Sequence, residues 1–127
     1  GAAVEFINGL NAFDIEAHEK EITTKAMTAL QAIEGCRIYG LPGTYYGQVY
    51  EKIPVFSMSI EGAHPADIAT LLDKMGIAAR SGMLCAEPLL GRFHLTAVLR
   101  ASFALYNTLE ELDYFVESLQ KVLKMLR

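Results

Sequence analysis

The stretch Pro54-Val55-Phe56-Ser57-Met58-Ser59-Ile60 alternates large apolar side chains with small polar ones. Successive side chains of a strand point to opposite faces, so Phe56, Met58 and Ile60 share one face and Ser57 and Ser59 the other. That pattern predicts a half-buried strand and excludes an all-helical chain. Helical spacing surrounds it. Ile68, Leu71, Leu72 and Met75 form one i, i+3, i+4, i+7 stripe, and Leu112, Val116, Leu119, Leu123 and Leu126 form a longer one. Amphipathic helices and short half-buried strands satisfy each other by packing in layers. The expected class is α+β, a small sheet of three to four short strands covered by helices.

Taken in order, Gly1 to Leu10 reads as the end of a helix stopped at Asn8-Gly9, with no N-cap before it, as if cut from a longer chain. A second helix is expected from Asp14 as N-cap to Gly35 as its C′ residue, carrying Ile15, Ile22, Ala26, Ala29 and Ile33 inward. Cys36 to Tyr39 is a short strand, and GLPGTYYGQVYEK a turn or irregular hairpin. After the central strand, Gly62-Ala63-His64 turns the chain and Pro65 opens a helix that Gly76 closes. Ile77–Arg80 and Leu95–Phe103 are expected as strands, with one helical turn near Leu89–Phe93 between them. Thr108 and Glu111 form a capping box for the last helix, and Lys121, Lys124 and Arg127 complement its C-terminal dipole.

A length of 127 residues, 52% of them hydrophobic and 20% charged, suits one folded domain over residues 1–127. The formal charge of −4 and the lack of a basic run argue against nucleic acid or an anionic membrane as partner. No apolar run reaches the roughly 20 residues of a membrane span, and the expected setting is cytoplasmic. The two cysteines, Cys36 and Cys85, are read singly, because their spacing suits neither a disulfide framework nor a metal site.

Cys85 is the leading candidate for chemistry. It sits between Gly82 and Pro88 with Arg80, Arg92 and Arg100 near in sequence, where a thiolate would meet positive charge. A buried, inert thiol is the competing reading, and for Cys36, at the head of an apolar strand, it is the preferred one. Arg100 shares a strand face with Val98 and Ser102 and requires a partner, either a carboxylate of the protein or that of a ligand held bidentately. Arg80 admits either role, and Arg92 reads as a surface residue. His18 reads as part of an exposed helical face, His64 as a cap and His94 as a strand-edge residue, with no triad spacing among them.

The run IAARSGMLCAEPLL, followed fifteen residues after the cysteine by RASFALYNTLEELD, resembles the C-terminal part of the Suf-type cysteine desulfurases and selenocysteine lyases. These are class-V aminotransferase-like enzymes of fold type I that use pyridoxal phosphate. EAHEKEITTKAMTAL, CRIYG and IEGAHPADIATLLDKMGIA follow the same family in the same order, so the resemblance spans nearly the whole chain. It implies the small domain of such an enzyme, with Cys85 as the persulfide-forming cysteine, Arg100 as the anchor of the substrate α-carboxylate and Arg80 in support. It further implies L-cysteine as substrate, alanine as product, a sulfur-acceptor protein, a homodimer in the full-length form and a place in iron-sulfur cluster or sulfur-cofactor assembly. The alternatives are a selenocysteine lyase or other class-V aminotransferase and, in another class, a non-enzymatic sulfur carrier or interaction module.

Two departures stand out. Met83 and Leu84 precede Cys85 where the family commonly places two histidines. The family's cofactor lysine follows a histidine, and here the nearest match is His18-Glu19-Lys20 in a surface helix pattern. By this reading residues 1–127 alone bind no pyridoxal phosphate and do not turn over.

Overall fold

A computed structural model describes residues 1–127. In chain order the elements are α1 (Ala2–Asn8), α2 (Ala12–Gln31), β1 (Cys36–Tyr39), β2 (Gly43–Tyr45), β3 (Gln48–Tyr50), β4 (Val55–Ile60), α3 (Pro65–Asp73), β5 (Arg80–Gly82), α4 (Glu87–Arg92), β6 (Val98–Ser102) and α5 (Leu109–Leu126). Four strands form one antiparallel sheet in the order β1-β4-β6-β5, and β2 and β3 form a separate hairpin. The α+β expectation holds, with the alternating strand at the centre of the sheet.

Phe56, Met58 and Ile60 are buried while Val55, Ser57 and Ser59 are half-buried, as the period of two requires. The buried face joins Ile38 of β1 and Leu99 and Ala101 of β6 to Ile22, Ala26 and Leu30 of α2, Ile68 and Leu72 of α3, and Leu112, Phe115, Leu119, Val122 and Leu123 of α5. Three helices therefore cover one side of the sheet. Phe103 meets both Phe56 and Phe115 edge-on, at centroid distances of 6.2 and 5.8 Å, a geometry that adds about 0.5–1.5 kcal/mol per pair to the area buried.

Local chemistry sets the ends of these elements. The Thr108 hydroxyl accepts from the Glu111 N–H at 3.1 Å and the Glu111 carboxylate accepts from the Thr108 N–H at 3.0 Å, which completes the expected capping box. His64 caps α3 by accepting from the Ala66 N–H, and Pro65 stands in the first turn. Tyr46 and Gly47 both have positive φ, so the β2–β3 hairpin closes in the type I′ sense.

Five expectations are corrected. The strand expected over Leu95–Phe103 is only Val98–Ser102, because the Leu95 N–H still turns back to the Leu90 carbonyl at 3.0 Å. α2 starts at Ala12 and is capped by Asn11, whose side chain accepts from the Phe13 N–H; Asp14 lies inside the first turn. α2 also ends earlier, at Gln31, and Gly35 with φ of 72° belongs to the turn that follows. Ile77–Ala79 are not strand, because the Ile77 N–H turns back to the Leu72 carbonyl at 3.0 Å to finish α3; β5 begins at Arg80. His18 is half-buried, donating through Nε2 to the carbonyl of Asn107 at 2.7 Å and tying α2 to the turn before α5.

The other face of the sheet is polar, and the connection from β5 to β6 folds over part of it. Leu90 of α4 and Val98 of β6 are buried but stand apart from the main core. Phe93, just after α4, packs on Tyr39 of β1 with ring centroids 5.1 Å apart.

Candidate active site

The strand registers fix a row of side chains across the polar face. Tyr39 of β1 is opposite Ser57 of β4, Ser57 is opposite Arg100 of β6, and Arg100 is opposite Arg80 of β5. Directly opposed residues project to the same side, with Cβ atoms about 4.5–5.5 Å apart. Ser59 and Arg37 form the neighbouring pair on that face. The hydroxyls of Tyr39 and Ser59 share a hydrogen bond of 2.9 Å, and the Arg37 guanidinium lies over the Tyr39 ring at 5.3 Å.

Arg100 is half-buried, and its Nε is fully buried with no hydrogen-bond acceptor. The chain's one ion pair is Lys25–Asp113, at 2.7 Å, on the helical side. Of the two partners the sequence allowed for Arg100, a carboxylate of this chain is therefore not in place. An unmet buried donor is costly, and like charges directly opposed across a ladder repel.

β5 delivers the chain into the cysteine turn. Gly82 has φ of 122°, a conformation open chiefly to glycine. Leu84 and Cys85 then take φ of 54° and 59°, and the Ala86 N–H donates to the Met83 carbonyl at 3.0 Å. This is a turn with both central residues left-handed, which normally selects Asn or Gly. With Leu and Cys in place the conformation costs roughly 1–2 kcal/mol per residue, so the surrounding structure holds it. Leu84 is half-buried and Cys85 is exposed, so the turn presents the thiol to solvent. α4 begins two residues later, with Pro88 in its first turn.

Cys36 is the opposite case. It is half-buried, and burial pushes its thiol up to about 11 despite the opposing charge of Arg127. Arg92 is exposed, as expected of a surface residue, and His94, with φ of 56°, finishes the turn after α4 through its N–H to the Gly91 carbonyl. Sequence reading singled out Arg80, Cys85 and Arg100 but passed over Ser57 and Tyr39. Their only signal was the polar half of the alternation, which does not say which strands become neighbours.

Residues 1–115 match the family model for class-V aminotransferases. The chain belongs to that family. It is 42% identical over 125 residues to a probable cysteine desulfurase of Xylella fastidiosa, covering 98% of this chain and 28% of that protein. The crystal structure of the cysteine desulfurase CsdA of Escherichia coli, in an S-sulfonic acid form, superposes with a TM-score of 0.85 at 31% identity, over 99% of this chain and 29% of that one. The apo cysteine desulfurase of Thermococcus onnurineus gives a TM-score of 0.82 at 30% identity, over 98% of this chain and 30% of that one. The chain thus spans under a third of the length of the relatives it matches.

The class-V family implies pyridoxal phosphate, an aldehyde held by a lysine. No strand of the four-stranded sheet carries a lysine, nor does the segment from Ile77 to Asn107. Lys25 is engaged by Asp113 and Lys52 by the Gly40 carbonyl. What the polar face does offer is two opposed arginines, Arg80 and Arg100, joined by one short connection to the turn that carries the exposed Cys85.

Proposed function

We propose that this chain is the C-terminal part of a pyridoxal-phosphate-dependent cysteine desulfurase, and that it supplies the sulfur-accepting thiol and the substrate-carboxylate anchor. The observation that carries this reading is the Arg80–Arg100 pair, which lacks a counter-ion and is joined by one short connection to the exposed Cys85. A planar guanidinium grips a carboxylate through two parallel hydrogen bonds, so Arg100 orients the amino acid and Arg80 adds charge beside it. With the carboxylate fixed, the substrate sulfur can be presented to Cys85.

In the net reaction the Cys85 thiolate forms an S–S bond to the sulfur of L-cysteine and the substrate's C–S bond breaks. The electron pair of that bond ends on the carbon that becomes the methyl group of alanine, with a proton from solvent or a protein group. Cys85 is left as a persulfide, whose outer sulfur passes to an acceptor protein. The relatives' names support cysteine as the substrate. Met83 and Leu84 leave the residues immediately before the thiol without a proton-handling group, so the proton must be handled by groups outside this turn.

The test uses the full-length gene product with pyridoxal phosphate and L-cysteine, following alanine release and the mass of the peptide bearing Cys85. Wild type should accumulate one extra sulfur on Cys85, and Cys85→Ser should release no alanine. Full desulfurase activity in Cys85→Ser would sink the assignment. Activity of that variant on selenocysteine alone would identify a selenocysteine lyase.

A further inference from the structure

We propose that Ser57 is a third member of the carboxylate site, a hydroxyl donor beside Arg100 that helps set affinity for the substrate; this rests on Arg100 and Arg80 being the anchor. Ser57 stands on the central strand directly opposite Arg100, on the same face and half-buried. Across that strand its other neighbour is Tyr39, whose hydroxyl is engaged with Ser59 at 2.9 Å rather than with Ser57. The Arg100 Nε, for its part, has no acceptor, so the Ser57 oxygen is not bound to it.

The hydroxyl is therefore available to a ligand held by the guanidinium. A carboxylate has about four lone-pair sites, and one bidentate guanidinium fills two of them. The hydroxyl of the residue directly opposite Arg100 on the same face is placed to meet a third. The small side chain also leaves open the space that a carboxylate must enter. Any acidic residue at this position would neutralise Arg100 from within the protein and close the site.

Four variants of the full-length enzyme separate these points, read by KM and kcat for L-cysteine and by thermal melting. Ser57→Ala should raise KM roughly 10–100-fold, the loss of one hydrogen bond to a charged group, with kcat within about twofold. Ser57→Thr, which keeps the hydroxyl, should stay near wild type. Ser57→Asp should raise KM more than about 100-fold while melting no lower than wild type, because it supplies the counter-ion that Arg100 lacks. Arg100→Ala serves as the control on the underlying site. A raised KM in Arg100→Ala together with wild-type KM in both Ser57→Ala and Ser57→Asp would overturn the role of Ser57 alone. Wild-type KM in Arg100→Ala would overturn the anchor and, with it, the inference.

Discussion

Arg80 and Arg100 face each other across the β5–β6 ladder, and neither is ion-paired with a carboxylate of the chain. Two like charges placed this way weaken the sheet unless an anion joins them. Arg80→Ala should therefore raise stability by about 0.2–1 kcal/mol while weakening substrate binding, a trade visible by comparing melting temperature with KM. Arg100→Lys keeps the charge but loses the planar fork. It should raise KM roughly 10–100-fold, and an unchanged KM would show that Arg100 does not hold the carboxylate.

The two thiols differ in exposure. Cys85 is exposed, whereas burial raises the Cys36 thiol to about 11, leaving only on the order of one molecule in a thousand ionised near pH 8. Limited iodoacetamide at that pH should modify the exposed Cys85 well before Cys36, as read by peptide mass. Equal labelling would contradict the burial of Cys36.

Leu84 has φ of 54° in the cysteine turn. Leu84→Gly removes the steric conflict but adds chain entropy to the unfolded state, so stability should change by less than about 1 kcal/mol. Leu84→Val is branched at Cβ and should lose about 1 kcal/mol or more, and Leu84→Pro more again, because its ring locks φ near −65°. Chemical denaturation measures all three, and Leu84→Pro matching wild type would show that the turn need not be left-handed.

The Glu111 carboxyl is held below the ordinary carboxylate range by hydrogen bonds from the Asn107 amide and the Thr108 N–H. A lowered folded-state value stabilises the fold above the unfolded value, ~4.3, and that contribution is lost as pH falls through the folded one. Wild type should accordingly melt above Glu111→Ala at pH 7, with the gap narrowing as pH drops below ~4. A gap that does not change with pH would show that the carboxylate charge is not what caps α5.

Local rules made much of this protein legible. The VFSMSI alternation placed β4 and its buried face, Pro65 and the Thr108–Glu111 box marked the starts of α3 and α5, and alternation grouped Arg100 with Val98 and Ser102. Where two local signals compete, the same rules falter. Asn11 and Asp14 are equally good N-caps by residue type, and Asn11 wins because α2 extends one turn further toward the N-terminus. Leu84 and Cys85 carry no mark of a left-handed turn, since neither is the Asn or Gly such a turn prefers; tertiary context overrides propensity there.

By itself, then, the sequence determined the class of fold and the core-facing residues of its central strand, and it nominated Arg80, Cys85 and Arg100 as the candidates for chemistry. Only the tertiary structure decided that Arg80 opposes Arg100, that Ser57 stands on the far side of that arginine and that His18 meets Asn107, 89 residues away. The reason is physical. Period and capping are local properties of the backbone, whereas strand register is set by which distant segments can pack one common core, and a slip of a single residue would turn Arg100 from the open face into the apolar one.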